Sequence, residues 1–180
     1  MNEGKRRTSR TQARTRGAEA VTLTVNGREY ELNVGSRSGE VQPFHTLSQT
    51  LRDTLGLTGT KISCDHGACG ACTVIMDEKA VLSCKLLTVE CAGKSITTIE
   101  GLRNAATGAL DPLQQAFIDH TAFQCGFCTP GMIMTAKALL NENPHPTEDE
   151  VKEGLSGNFC RCISHYHVVR AVMSVADKGR

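Results

Sequence analysis

The chain has 180 residues, of which 39% are hydrophobic and 22% charged, with a formal net charge of +1. That composition fits one globular domain or two small ones, and no apolar run approaches the length of a membrane span, which excludes a chain that crosses a bilayer. With five Phe, two Tyr and no Trp, neither half can build a core around large rings, so units this small would gain from bound metal.

The small net charge hides an asymmetry. Residues 1–20 carry Lys5, Arg6, Arg7, Arg10, Arg14 and Arg16 against Glu3 and Glu19, leaving 14 basic and 17 acidic residues beyond them. This stretch reads as a disordered, solvated basic tail; no aromatic residues interleave it, so no nucleic-acid partner is expected. Arg6-Arg7 invites a twin-arginine export reading, but polar residues continue to Val21 where an apolar stretch would be required. A cytoplasmic location is expected.

Val21 to Val25 alternates apolar and polar, Asn26-Gly27 follows, and a second alternating run continues to Val34. This pattern predicts a β-hairpin, because both turn positions require positive φ. Leu47, Leu51 and Leu55 recur at helical spacing and close at Gly56, predicting a short helix over Thr46 to Thr54. The β-branched segments from Thr73, Ala80 and Ser95 read as strands, completing a small α+β sheet domain. After Leu102 the texture becomes helical. Leu113, Ala116, Phe117 and His120 fit one helix, and Pro130 opens a second with Met132, Ile133, Ala136, Leu139 and Leu140 on one face. Thr147 and Glu150 form a capping box for a third, and Val168, Val169, Val172 and Val175 mark a fourth. The C-terminal half therefore reads as an antiparallel four-helix domain, with Met132 and Met134 as core fillers.

Eight of the nine cysteines fall into two sets. Cys64-x4-Cys69-x2-Cys72 with the distant Cys84 has the plant-type spacing of a [2Fe-2S] cluster. Gly67, Ala68, Gly70 and Ala71 let the loop bend tightly and turn its N–H groups toward sulfur. Cys125-x2-Cys128 with Cys160-x-Cys162 places both pairs at helix ends. Zinc in four thiolates is a rival for this second set. A Rieske site fails because Leu87 stands where a second His is needed, covalent haem fails at Thr129, and a thioredoxin-like dithiol lacks its βαβ context. Disulfides suit neither the odd cysteine number nor the close pairs. Cys91 is left as a buried small apolar residue. His165 and His167 could hydrogen-bond a cluster sulfur or face a partner, but they are not read as ligands. No Ser/His/Asp arrangement, paired carboxylates or phosphate-binding glycine loop is present, so substrate chemistry on this chain is not expected.

Cys64-Asp-His-Gly-Ala-Cys-Gly-Ala-Cys-Thr-Val, Gln124-Cys-Gly-Phe-Cys-Thr-Pro-Gly-Met and Gly157-Asn-Phe-Cys-Arg-Cys, spread in order over about residues 21–175, resemble the signatures of one family. It is the small iron–sulfur subunit of the molybdenum hydroxylases, which include xanthine dehydrogenase, aldehyde oxidoreductase, carbon monoxide dehydrogenase and 4-hydroxybenzoyl-CoA reductase. The resemblance implies a plant-ferredoxin-like β-grasp domain at 21–103 and an all-α four-helix domain at 104–180, each with one [2Fe-2S] cluster. It also implies a large partner subunit holding a molybdenum pterin, contacted by Gln124 and Cys162, and a medium subunit holding FAD. The cluster on Cys125, Cys128, Cys160 and Cys162 would lie nearest the pterin, and that on Cys64, Cys69, Cys72 and Cys84 would face the flavin. An electron-relay subunit follows from this; a free-standing two-cluster ferredoxin or a zinc-stabilised interaction module is the alternative. Relatives often show Thr-Gly-Tyr after the last Cys, where this chain has Ile163-Ser164-His165-Tyr166.

Overall fold

The computed structural model describes residues 19–178; the expected disordered tail lies outside them, apart from Glu19 and Ala20. Strand β1 (Glu19–Val25) begins before the alternation at Val21 and pairs antiparallel with β2 (Arg28–Val34), Val21 opposite Leu32 and Val25 opposite Arg28. Asn26 and Gly27 turn the chain with φ of 52° and 77°, the left-handed pair that a tight hairpin requires. Val21, Leu23 and Val25 point inward at 4%, 0% and 1% exposure, as the two-residue period of a strand dictates.

The predicted helix after Pro43 is present in altered form. Thr46 caps α1 (Leu47–Gln49) through a capping box, and the chain then widens into a π-turn over Thr50–Thr54. There the Leu55 N–H reaches the Thr50 carbonyl, and the buried Thr50 hydroxyl is tied to that of Thr88 at 2.7 Å. The departure from regular α geometry coincides with this anchored hydroxyl. Leu47 and Leu51 are nonetheless fully buried against the sheet.

Strands β3 (Thr73–Met76), β4 (Lys79–Leu82) and β5 (Ser95–Thr97) complete a sheet of order β2-β1-β5-β3-β4. It is mixed: β1 runs parallel to β5, while β3 runs antiparallel to both β5 and β4. Four helices follow: α2 (Pro112–Asp119), α3 (Thr129–Glu142), α4 (Glu148–Gly154) and α5 (His165–Lys178). His120 is the C-cap of α2 rather than part of the helix.

Three buried clusters organise the chain. One lies under the sheet around Leu23, Leu47, Val74 and Ile96, and a second lies among the helices around Phe117, Met132, Val151, Leu155 and Val172. The third joins them: Ile75 of β3 packs against Met134 and Ala138 of α3. Strand β3 is thus covered on both faces, Val74 at 0% and Ile75 at 6% exposure, which accounts for its unbroken apolar run. Helix α3 likewise has two buried faces, Met132 turned to the helical core and Met134 to the sheet.

Candidate metal centres

The Cys64–Cys72 loop leaves the sheet just before β3, with positive φ at Asp65, Gly67 and Gly70. This path carries backbone N–H groups to sulfur: Ala68 N–H lies 3.3 Å from the Cys64 Sγ. The backbone N–H of His66 contributes most to holding the Cys64 thiol down, to about 6. Cys84 returns from the single 3-10 turn Ser83–Lys85 that ends β4. Burial pushes its thiol up to about 12, with Cys72 the next cause.

The second set hangs on helix ends. Cys128 is the N-cap residue of α3, and Cys160 and Cys162 lie between α4 and α5. N–H groups again point at sulfur, with Ile163 at 3.3 Å and Cys162 at 3.4 Å from the Cys160 Sγ. Burial pushes the Cys128 thiol up to about 12, with Cys160 next among the causes.

Cys125 and Cys162 stand 3.6 Å apart, and Cys125, Cys128, Cys160 and Cys162 all line one cleft; in the first set, burial and then the neighbouring Cys72 and Cys64 push up the Cys84 thiol. Among the described residues no three His, Cys, Asp or Glu side chains converge to hold a single metal ion. Four thiolates on one tight loop system are the donor set that a [2Fe-2S] group takes. The residues present therefore fit a [2Fe-2S] group in each set. A cleft of about 400 Å³ lined by Cys69, Cys125, Cys128, Phe159, Cys160 and Cys162 opens between them. A larger groove of about 890 Å³, beside the β3–β4 turn, has no cysteine in its lining.

The sets differ in exposure. Cys72 and Cys84 are buried, Cys64, Cys69, Cys128 and Cys160 half-buried, and Cys125 and Cys162 exposed. Gln124 is also exposed beside this last pair, and so are Phe127 and Phe159, at 46% and 64%. These two aromatics carried no assignment in the sequence, although each lies inside a cysteine motif. Cys91 is 1% exposed and its Sγ donates to the Leu87 carbonyl at 3.4 Å, apart from both sets. His165 and His167 stand at the start of α5.

Residues 24–98 match the 2Fe-2S iron-sulfur cluster binding domain family and residues 98–173 the [2Fe-2S] binding domain family. Two such domains in tandem define an iron–sulfur protein of the electron-carrier class. The small subunit of nicotine 6-hydroxylase from Paenarthrobacter nicotinovorans is 48% identical over 153 residues, covering 85% of this chain and 87% of that protein. The structure of quinoline 2-oxidoreductase from Pseudomonas putida 86 matches with a TM-score of 0.81 and 41% identity, over 91% of this chain and 96% of that one. The aldehyde oxidoreductase of Desulfovibrio desulfuricans ATCC 27774 matches with a TM-score of 0.81 and 43% identity, over 90% of this chain but 17% of that one. This chain belongs to the small iron–sulfur subunits of the molybdenum hydroxylase family, whose members are parts of oxidoreductase complexes.

Proposed function

We propose that the chain holds two [2Fe-2S] clusters, one on Cys64, Cys69, Cys72 and Cys84 and the other on Cys125, Cys128, Cys160 and Cys162. Through them it relays electrons between a molybdenum pterin in a large partner subunit and FAD in a medium one. The observation that carries this reading is the gathering of eight thiols on two loop systems, with Cys125 and Cys162 3.6 Å apart and all four thiols of the second set lining one cleft. When bound, each cluster supplies a one-electron carrier. The chain's own part is to set their separation and environment: N–H groups aimed at sulfur favour the reduced, more negative state and raise the potential.

The domain division at about residue 103 assigns one cluster to a β-grasp half and one to a four-helix half. Exposed Cys125, Cys162 and Gln124, flanked by Phe127, Phe159 and Arg161, form the side that meets the pterin subunit; aromatics and Arg are enriched at such contacts. The opposite set is reached through the exposed Asp65, His66 and Ala68 rim, which would face the flavin. The relatives are named for nicotine, quinoline and aldehydes, chemically different compounds associated with one kind of iron–sulfur unit, which supports substrate choice outside this unit. No described helix is long and apolar enough to cross a membrane, and a cytoplasmic complex is proposed.

Metal and acid-labile sulfide analysis with EPR tests the reading: iron, sulfide and two distinct rhombic signals on reduction are expected, and zinc without sulfide would overturn it. Purification from the native host separates a subunit from a free-standing ferredoxin, with pterin- and FAD-binding partners expected to co-elute.

A further inference from the structure

We propose that Asn158, whose hydrogen bonds go to backbone carbonyls and not to a thiol, is a positioning residue that locks the two cysteine loops in register and thereby sets the electron-transfer distance between their clusters. The inference rests on the two-cluster reading above. Asn158 is 3% exposed and sits two residues before Cys160. Its backbone N–H donates to the Leu155 carbonyl at 2.9 Å, which anchors it to the end of α4. Its side-chain amide donates to the carbonyl of Gly70 at 3.1 Å, a partner 88 residues away that lies between Cys69 and Cys72. The next residue, Phe159, donates its N–H to the Cys69 carbonyl at 3.0 Å.

Among the described residues the Asn158 amide makes the one side-chain hydrogen bond joining these two loops. The Gly70 carbonyl also accepts from the Thr73 N–H at 3.2 Å and the Thr73 hydroxyl at 2.7 Å. Those bonds order the first loop but cannot place it relative to the second. The approach admits nothing larger than glycine: a Cβ on Gly70 would meet the Asn158 amide nitrogen at 2.5 Å and the Gly157 carbonyl oxygen at 2.7 Å. A buried contact this close keeps its polar groups satisfied through one geometry. Electron tunnelling falls off exponentially with separation, so a small shift in that geometry is felt as rate. Supporting residues that hold a site to a fraction of an ångström act in this way.

The test uses the assembled complex with wild-type chain, Asn158→Ala, Asn158→Asp and Thr73→Val. The Asn158 variants are expected to keep full iron, both reduced-state EPR signals and both midpoint potentials. They should weaken the magnetic interaction between the two reduced clusters and slow intercluster electron transfer severalfold, as followed by pulse radiolysis. Thr73→Val, which removes a donor to the same carbonyl from within the first loop, is expected to leave both quantities at wild-type values. Unaltered interaction and rate in the Asn158 variants, or equal losses in Thr73→Val, would overturn the inference alone. Failure of both Asn158 variants to assemble either cluster would overturn it too, making the residue a folding determinant. A wild-type complex with fewer than two [2Fe-2S] signals would instead overturn the two-cluster reading and this inference with it.

Discussion

Cysteines of one chemical type meet very different surroundings here. Backbone N–H groups bring the Cys64 thiol down to about 6, whereas burial sends Cys84 and Cys128 up to about 12. On the proposed ligand assignment, metal binding displaces the protons of the latter two, and cluster retention is expected to weaken as pH falls. Cys91 is buried without a thiol partner, and burial again is the main cause that pushes it up to about 11. A protonated, enclosed thiol is inert. Cys128→Ser is therefore expected to abolish one reduced-state EPR signal and leave the other, while Cys91→Ala keeps both at a stability cost of about 1 kcal/mol. Loss of neither signal in Cys128→Ser would refute the ligand assignment. The two cysteine sets could be read from spacing, because such motifs are local; the Asn158 contact could not, since its partner is remote in sequence and an isolated Asn carries no signal.

Among the elements, three helices begin with reciprocal capping boxes, and they differ in one atom type. Gln49 and Gln114 close the boxes of α1 and α2, and Glu150 closes that of α4. The Glu150 carboxylate accepts from the Thr147 N–H at 2.6 Å and from its hydroxyl at 2.8 Å. These two bonds, the backbone one foremost, hold its pKa below the ordinary 4.5. A carboxyl with a depressed folded pKa stabilises fully above the unfolded value and loses that stabilisation as pH falls through the folded one. Amide exchange at Thr147 and Glu150, corrected for intrinsic rates, should accelerate below about pH 4.5, with no matching change at Thr46 and Gln49. Equal acceleration at both caps would contradict the assignment. The box at Thr147 and the Asn26-Gly27 hairpin turn were legible because capping and turn chemistry are read within four residues. The π-turn at Thr50 was not, because it coincides with a buried hydroxyl contact to Thr88 across 38 positions.

At the scale of the whole molecule, α3 is the bridge between the halves. A Cβ on Gly131 would lie 2.2 Å from the Gly70 carbonyl oxygen and 3.0 Å from the Ala71 Cα. Two effects oppose each other in Gly131→Ala. Helix propensity favours Ala by about 1 kcal/mol, but the clash is with backbone that cannot rotate away, and overpacking of this kind costs about 1–3 kcal/mol. The clash wins: Gly131→Ala should lower the denaturant midpoint and perturb both EPR signals, because Gly131 abuts one loop and opens the helix that follows Cys128. A variant more stable than wild type would show that the halves do not meet as described.

The amino-acid sequence alone carried the number and chemistry of the thiols, their division into two sets, the hairpin, the strands and the helices. All of these rest on spacing, periodicity or capping over a few residues. Which thiol meets which, as Cys125 meets Cys162 across 37 positions, needed the folded chain. So did the double burial of β3 and the Gly70–Asn158 junction. Those depend on contacts between segments far apart in sequence, where geometry is set by the packing of α3 on the sheet and no local pattern encodes it.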